Sequence, residues 1–171
     1  MPIKIRNYVS SDALAIANIY NEAVLKGGIT MDREPYSAKQ IANLVAKFGR
    51  REAILVADKD HAVVGWGIVK KYSDRTGYRL ACETSIYLTR SETKKGYGYR
   101  LQTALLEQVA AWDYHHVVAK ILAANQGSIK FHQKFGFKIV GIQKEIGFYE
   151  GQWHDVAIMQ LIVDAAKLSP E

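Results

Sequence analysis

The amino-acid sequence predicts a mixed α/β fold of the α+β type, in one domain over residues 1–171. Strand-like runs with a period of two and helix-like runs with a period of three to four follow one another in an irregular order. That order is strand, two helices, three strands, helix, strand, helix and two strands, which differs from a regular βαβ series. The composition, 49% hydrophobic and 23% charged, is typical of a globular protein.

The N-terminal part predicts one strand and two helices. Residues 3–6 alternate as in a short strand. Residues 13–24 place apolar side chains every three or four positions, and Ser10, Ser11 and Asp12 before them are candidate N-caps. Residues 37–49 begin with the Ser-x-x-Gln spacing of a capping box and end at a glycine. This last segment is the clearest helix of the sequence.

The middle of the chain predicts three consecutive strands. Residues 53–57 and 62–72 are apolar and rich in β-branched side chains, and the DKDH turn between them predicts a hairpin. The polar segment SDRTG then leads into residues 78–88, which are also rich in β-forming residues.

The C-terminal half alternates helices and strands. Apolar residues on one side of a helix follow Gly98, and Ser128 is the expected cap of a second, short helix. The predicted elements are a helix over 98–113, a strand over 117–123, a helix over 127–136, and strands over 137–142 and 155–163.

Charge and cysteine content narrow the classes of function. The formal net charge of +6 suits an anionic partner, but the basic residues are scattered and no nucleic-acid-binding motif accompanies them. No run approaches the ~20 apolar residues of a membrane span, and the N-terminal segment lacks the apolar core of a signal peptide. Cys82 is the single cysteine, and the histidines lack metal-ligand spacing. We therefore expect a cytoplasmic protein that has no metal site and binds neither membranes nor nucleic acids.

The segment TKKGYGYRL, residues 93–101, joins the third of these strands to the next helix. Gly96 and Gly98 leave backbone N–H groups free where a helix dipole is positive, and Lys94 and Lys95 add charge. Such a segment is either a cradle for a phosphate or a glycine-rich turn with solvated lysines. It lacks the Gly-Lys-Ser/Thr of a P-loop and the third glycine of a dinucleotide fingerprint.

Residues 93–98 resemble the Q/R-x-x-G-x-G/A pyrophosphate loop of the GNAT superfamily of N-acetyltransferases, with Thr93 where that loop usually opens with Gln or Arg. Further motifs are similar to the phosphinothricin and methionine-sulfoximine acetyltransferase branch of this superfamily. These motifs are REP at 33–35, Arg75 and Tyr78 before CET at 82–84, Asn125 with Ser128 and His132, and GQWHDV at 151–156.

The resemblance implies a fold, a reaction and partners. The fold would be a mixed, mainly antiparallel central sheet, flanked by helices and splayed at the acetyl-CoA site. The protein would transfer the acetyl group of acetyl-CoA, its cosubstrate, to the primary amine of a small amino acid or analogue, and it would form a homodimer. A polyamine, an aminoglycoside or a protein N-terminus stays open as the acceptor, as does a catalytically silent CoA-binding module.

The resemblance also implies the roles of individual residues. An amine with a pKa of about 7.7–8.0 is mostly protonated at neutral pH, so a base must free its lone pair, and Glu83 is the implied base. The alternative is an outward-facing or salt-bridged strand glutamate. His132 is implied either as an acid for the leaving thiolate or as a helix histidine that hydrogen-bonds a neighbour. Arg75 and Tyr78 are implied to bind the acceptor. The implied CoA contacts are Ile86, Tyr87, Leu88, Lys94, Lys95, Gly96, Tyr97, Gly98, Tyr99, Asn125 and Ser128.

Overall fold

The computed structural model describes residues 3–164 and contains strands and helices in the predicted order. The strands are β1 (Lys4–Asn7), β2 (Ala53–Lys59), β3 (Ala62–Lys71), β4 (Ala81–Leu88), β5 (His116–Leu122), β6 (Lys138–Tyr149) and β7 (Gln152–Ile162). The helices are α1 (Ala13–Lys26), α2 (Ala38–Ala46), α3 (Tyr97–Ala111) and α4 (Gln126–Gln133). Short 3-10 turns lie at Ser10–Asp12, Thr76–Tyr78 and Arg90–Glu92.

The strands form one 7-stranded sheet in the order β1-β2-β3-β4-β5-β7-β6. Neighbouring strands pair antiparallel, except β4 and β5, which are parallel. The chain therefore forms β6 at the edge of the sheet first and then turns back, so that β7 lies between β5 and β6. The mixed, mainly antiparallel sheet that the resemblance implied is confirmed.

The helices cover both faces of the sheet, and strand alternation divides the core between them. Leu55 of β2 packs in a cluster with Leu105 of α3, whereas its neighbours Ile54 and Val56 pack in a second cluster with Ile16 of α1. Successive side chains of a strand point to opposite faces, so a sheet of apolar strands needs a helical layer on each side. The central strands are therefore buried between two layers.

The predicted helix caps are confirmed in part, since Asp12 lies at the N-cap position of α1 but its side chain makes no capping hydrogen bond. The box at Ser37 and Gln40 is present, with each backbone N–H bound by the other residue's side chain. The carboxylate of Asp12 instead binds Arg6 at 2.8 Å, and this guanidinium holds the pKa of Asp12 below its usual range. Ser128 does not cap α4; Asn125 Oδ1 accepts from the Ser128 N–H at 3.2 Å. The carboxylate of Asp12 thus binds Arg6 from another element, and the nearby side chain of Asn125 caps α4 in place of Ser128.

The last two strands are longer than the sequence predicts. The predicted runs over 137–142 and 155–163 correspond to strands that meet in a tight turn at residues 150–151. β6 is an edge strand and mostly exposed, so its sequence lacks the alternation that marks a half-buried strand. A register shift between Gln143 and Gly147 interrupts the pattern further.

Candidate functional site

The central feature of the candidate site is a fork between β4 and β5. Their parallel pairing ends at Glu83, which lies opposite Val118. β4 stays paired with β3 as far as Leu88, and β5 stays paired with β7 as far as Leu122. The two strands therefore diverge after Glu83, and the edge of β4 that faces β5 keeps its peptide groups available. The predicted splay of the sheet is confirmed.

The N-terminus of α3 follows β4 after a short 3-10 turn and the glycine loop, and it offers free N–H groups. Gly96 is the N-cap, and the first hydrogen bond of the helix runs from the Arg100 N–H to the Gly96 carbonyl at 3.2 Å. The N–H groups of Tyr97, Gly98 and Tyr99 thus have no acceptor within the helix. This arrangement fits a phosphate, because the positive end of the helix dipole lies at the same place.

The two glycines of this loop have different physical roles. Gly96 has a φ of +82°, a conformation that other residues rarely adopt, and an added Cβ would meet nothing within 4 Å. Gly98 is buried, and an added Cβ would lie 3.1 Å from Leu88 Cδ1. Gly96 therefore permits the turn, and Gly98 permits α3 to pack closely on the end of β4.

The charges of the loop are partly paired. Glu92 binds Lys95 at 3.2 Å and Lys59 at 3.1 Å, and these lysines hold the pKa of Glu92 below its usual range. Thr93 donates a hydrogen bond from its hydroxyl to the Arg90 carbonyl at 2.8 Å. Thr93 therefore closes the turn before the loop, while Lys94 is exposed at a positive φ of 62°.

The rings of Tyr97 and Tyr99 support the loop by packing. Lys59 Nζ lies 5.8 Å from the centroid of the Tyr97 ring, and the Tyr99 ring lies 4.8 Å from that of Phe135, just after the end of α4. Tyr99 therefore packs the beginning of α3 against the turn that follows α4.

Glu83, the predicted base, lies at the fork and carries an ion pair. Its Oε2 is 3.2 Å from Lys120 Nζ of β5, and about a quarter of its side chain is exposed. Lys70 of β3 is its register partner on the other side. The salt-bridged glutamate that the sequence left open as an alternative is thus present at the fork.

A cavity of about 730 Å³ lies beside Glu83's ion pair and is lined by Tyr78, Tyr72, His116, Lys120 and Gln143 among others. The rings of Tyr72 and Tyr78 are 5.5 Å apart and form one wall. Arg75 precedes the 3-10 turn that carries Tyr78, and it is exposed and does not line this cavity. Of the two residues implied to bind the acceptor, Tyr78 therefore lines the cavity and Arg75 does not.

His132, Asn125 and Ser128 lie beside a second space, which shares Lys120 with this cavity. Together with Ile86 and Tyr87 of β4 they line a narrow space of about 50 Å³. His132 is buried, and its Nδ1 donates to the Ser128 carbonyl at 2.8 Å. Burial lowers the pKa of His132, so the ring is neutral at pH 7 and its Nε2 carries a lone pair. In this state His132 accepts a proton rather than supplying one.

Cys82, next to Glu83, is a core residue. Its side chain is fully buried, and burial raises the pKa of the thiol to about 12. A thiol of this kind is not a nucleophile at neutral pH. Among residues 3–164, no group of three or more His, Cys, Asp or Glu side chains is arranged to hold a metal ion.

The Trp-His-Asp motif lies on β7 and organises the final hairpin. The His154 ring stacks on Tyr149 with centroids 3.6 Å apart, and Arg33 Cζ lies 4.2 Å from the centroid of the same Tyr149 ring. Asp155 binds Lys144 at 2.6 Å and accepts from the Glu145 N–H at 2.7 Å, which fixes the irregular part of β6.

Lys120 is the site residue that sequence reasoning missed. It is the one lysine or arginine within β5, between the buried residues Ala119 and Ile121. A single charge inside an otherwise apolar strand was the available signal, since strand interiors disfavour lysine. Its significance depends on the contact with Glu83, which sequence alone does not reveal.

Comparison with known proteins agrees with this geometry. Residues 5–158 match the family model of the acetyltransferase (GNAT) domain. The chain is 31% identical over 163 residues to the L-amino acid N-acyltransferase MnaT of Escherichia coli, with 95% of each chain covered. It is 33% identical over 175 residues to an L-methionine sulfoximine/L-methionine sulfone acetyltransferase of Pseudomonas paraeruginosa, with 99% of this chain and 100% of the relative covered.

A solved structure extends the likeness to the acetyl donor. A phosphinothricin acetyltransferase of Sinorhizobium meliloti, crystallised in complex with acetyl-CoA, superposes with a TM-score of 0.89 at 32% identity, covering 95% of this chain and 89% of that one. The resemblance to the phosphinothricin and methionine-sulfoximine branch is therefore confirmed. With its forked sheet, its free helix N-terminus and relatives along nearly its whole length, the chain belongs to the GNAT family and is an acetyl-CoA-dependent N-acetyltransferase.

Proposed function

We propose that this enzyme acetylates the primary amine of a small amino acid or analogue, of the methionine sulfoximine, methionine sulfone or phosphinothricin type, with Glu83 as general base. The observation that carries the proposal is the position of Glu83. It lies at the end of the β4–β5 pairing and forms an ion pair with Lys120, which lines the cavity of about 730 Å³. A base at this point reaches an amine in the cavity and faces the cleft from which the acetyl group is delivered.

The cleft and the adjoining helix N-terminus fit acetyl-CoA, which supplies an acetyl thioester. The N–H groups of the first turn of α3, with Lys94 and Lys95, would hold its phosphates. The free edge of β4 over residues 86–88 would hydrogen-bond the pantetheine arm, and Asn125 and Ser128 would contact it from α4.

Glu83 would take a proton from the acceptor ammonium, directly or through one water, and so free the amine lone pair. Of the two residues at the end of β4, Tyr87 directs its peptide groups to Trp66 of β3, so the Leu88 N–H on the free edge would stabilise negative charge that develops on the acetyl oxygen. His132 is proposed to act near the sulfur. Because it is neutral and donates from Nδ1, it would supply a proton only after its Nε2 has first accepted one.

The names of the relatives support an amino-acid acceptor, since they specify L-amino acids, methionine sulfoximine or sulfone, and phosphinothricin. Tyr78 lines the cavity in which the acceptor would bind. Arg75 is proposed to hold an anionic group of the acceptor at the mouth of this cavity, because a guanidinium pairs two donors with a carboxylate or phosphinate.

An acceptor panel tests the proposed function. Purified protein with acetyl-CoA is offered methionine sulfoximine, methionine sulfone, phosphinothricin, spermidine, an aminoglycoside and a peptide N-terminus, and thiol release is measured. We expect the amino-acid analogues to give the largest kcat/KM. A larger value for spermidine or the aminoglycoside would refute the amino-acid assignment, and CoA binding without any turnover would favour a silent module.

The remaining proposals concern assembly and location. We propose that residues 1–171 act as one domain and that two copies associate through the apolar side chains exposed on β6 and β7. These are Ile139, Val140, Ile142, Ile146, Phe148 and Trp153. Exposed apolar patches of this kind mark interaction surfaces, and sedimentation should give twice the 19.2 kDa of one chain.

The buried free thiol of Cys82 suits a reducing cytoplasm, which fractionation of the cells would test. Among residues 3–164 no helix is long and apolar enough to cross a membrane.

A further inference from the structure

Lys120 lies 3.2 Å from the proposed base Glu83, and neither the loop motif nor the substrate segment accounts for it. We propose that Lys120 binds the α-carboxylate of the acceptor and so selects zwitterionic α-amino acids over amines that lack a carboxylate. This inference rests on the proposed function and assigns its specificity to one residue.

The position of Lys120 connects the two spaces of the site. It lies on β5 opposite Ile158 of β7, two residues beyond the last β4–β5 pair. It lines both the cavity of about 730 Å³ and the narrow space that holds His132. Within residues 3–164 no other lysine or arginine lines the larger cavity. Lys120 is therefore the lysine that can form an ion pair with an anionic group in this cavity.

The ion pair between Lys120 and Glu83 is partly exposed to solvent and can be separated by a charged ligand. The two charges are 3.2 Å apart, and the side chain of Lys120 is 49% exposed and that of Glu83 24%. Pairs with this exposure contribute little to stability, because water screens the attraction and the long side chain loses entropy when it is held. An acceptor can therefore separate the two charges at little cost.

An α-amino acid is complementary to the opened pair. Its ammonium and carboxylate are attached to the same carbon, so the ammonium can reach Glu83 while the carboxylate reaches Lys120. One protein ion pair is then replaced by two charge-assisted contacts to the acceptor. A simple amine gains only the contact with Glu83 and places its ammonium next to the like charge of Lys120.

Lys120 and Arg75 are expected to serve different ends of the acceptor. Arg75 lies outside the cavity wall in the loop before Tyr78, whereas Lys120 touches the proposed base. The α-carboxylate is adjacent to the reacting amine, so it has to lie near Glu83. Lys120 fits this position, and Arg75 fits a group at the other end of the molecule.

The test compares L-methionine sulfone with 3-(methylsulfonyl)propan-1-amine, the same compound without its carboxylate. For Lys120→Met, which keeps the side-chain length and removes the charge, we expect kcat/KM for the amino acid to fall by ~10-fold or more, mainly through KM. The value for the amine should stay unchanged or rise. Lys120→Arg should keep part of the discrimination, because it restores the charge with a different geometry.

Lys70→Met is the matched control. Lys70 is the register partner of Glu83 on β3 and lines a different cavity, with Tyr20 and Tyr36. This variant removes the same charge from the neighbouring strand, and it should leave the ratio of the two kcat/KM values as in the parent enzyme. Thermal melting and CoA binding verify that each variant is folded, and Lys120→Gln replaces the methionine variant if the latter is not.

Three results separate the alternatives. If the Lys120 variants lower kcat/KM equally for both compounds, Lys120 has only a structural role and the inference is wrong. If they raise both values, Lys120 merely masks Glu83, and the inference is also wrong. If the parent enzyme acetylates no amino acid, the proposed function itself fails, whereas an active parent whose variants keep the full discrimination refutes Lys120 alone.

Discussion

Glu83 is the residue on which the proposed chemistry depends. Glu83→Gln keeps the shape of the side chain and removes its ability to take a proton, so we expect kcat to fall by ~10²-fold or more. The loss should shrink as the pH rises, because more of the acceptor amine then deprotonates without help. Initial rates of thiol release between neutral and alkaline pH measure both effects.

The same substitution has a clear control. The ion pair with Lys120 is partly exposed, so its loss should change the thermal midpoint little, and CoA affinity should be nearly preserved. A Gln variant that retains most of the parent activity at neutral pH would eliminate Glu83 as the base.

Arg75 is the second residue whose role is testable alone. Because it is exposed in a loop and its guanidinium suits an anionic group, Arg75→Ala should raise KM for an amino-acid acceptor by ~10-fold or more, about 1.4 kcal/mol for each tenfold, and leave the Kd for CoA intact. Arg75→Lys should restore the affinity only in part. Unchanged steady-state kinetics in the alanine variant would assign Arg75 to the solvated surface.

At the scale of single elements, the junction of β4 with α3 decides how the cleft is formed. A Cβ on Gly98 would already lie 3.1 Å from Leu88, so the branched side chain of Gly98→Val should push the first turn of α3 away from β4. We expect the Kd for CoA to rise by ~10-fold or more, measured by titration of the folded protein.

Gly141→Val is the control for this element. It introduces the same side chain into β6 at a glycine where an added Cβ meets nothing within 4 Å. Its CoA affinity should equal that of the parent, and a Gly98 variant with the same normal affinity would contradict the assignment of the loop to the phosphates.

The helices and strands also indicate how far local sequence signals extend. The capping box of α2 was predicted correctly because both of its partners are local, at Ser37 and Gln40. Asp12 lies at the predicted N-cap position of α1, but its carboxylate binds Arg6 of β1 and makes no capping hydrogen bond to the helix. The true extent of β6 was missed because an exposed edge strand has no buried face to impose alternation.

At the scale of the whole molecule, ligand binding should be visible as stability. A ligand that binds only the folded state stabilises it by ~2.7 kcal/mol at a concentration 100 times its Kd, which for a domain of this size corresponds to roughly 5–10 °C in the thermal midpoint. We expect this shift with CoA or acetyl-CoA. ATP and NAD at equal concentration serve as controls, and an equal shift with either of them would show that the site does not distinguish CoA.

The sequence by itself determined the order of the elements, the hairpin of β2 and β3, the glycine loop before α3 and the strand that carries Glu83. Each of these depends on residues close together in the chain, where periodicity, capping and turn chemistry act. Only the tertiary structure decided that β4 and β5 part after Glu83, that His132 is buried and neutral, and that Lys120 meets the proposed base. These features arise from pairing between distant segments, and the register of such pairs is set by packing on both faces of the sheet rather than by local preference.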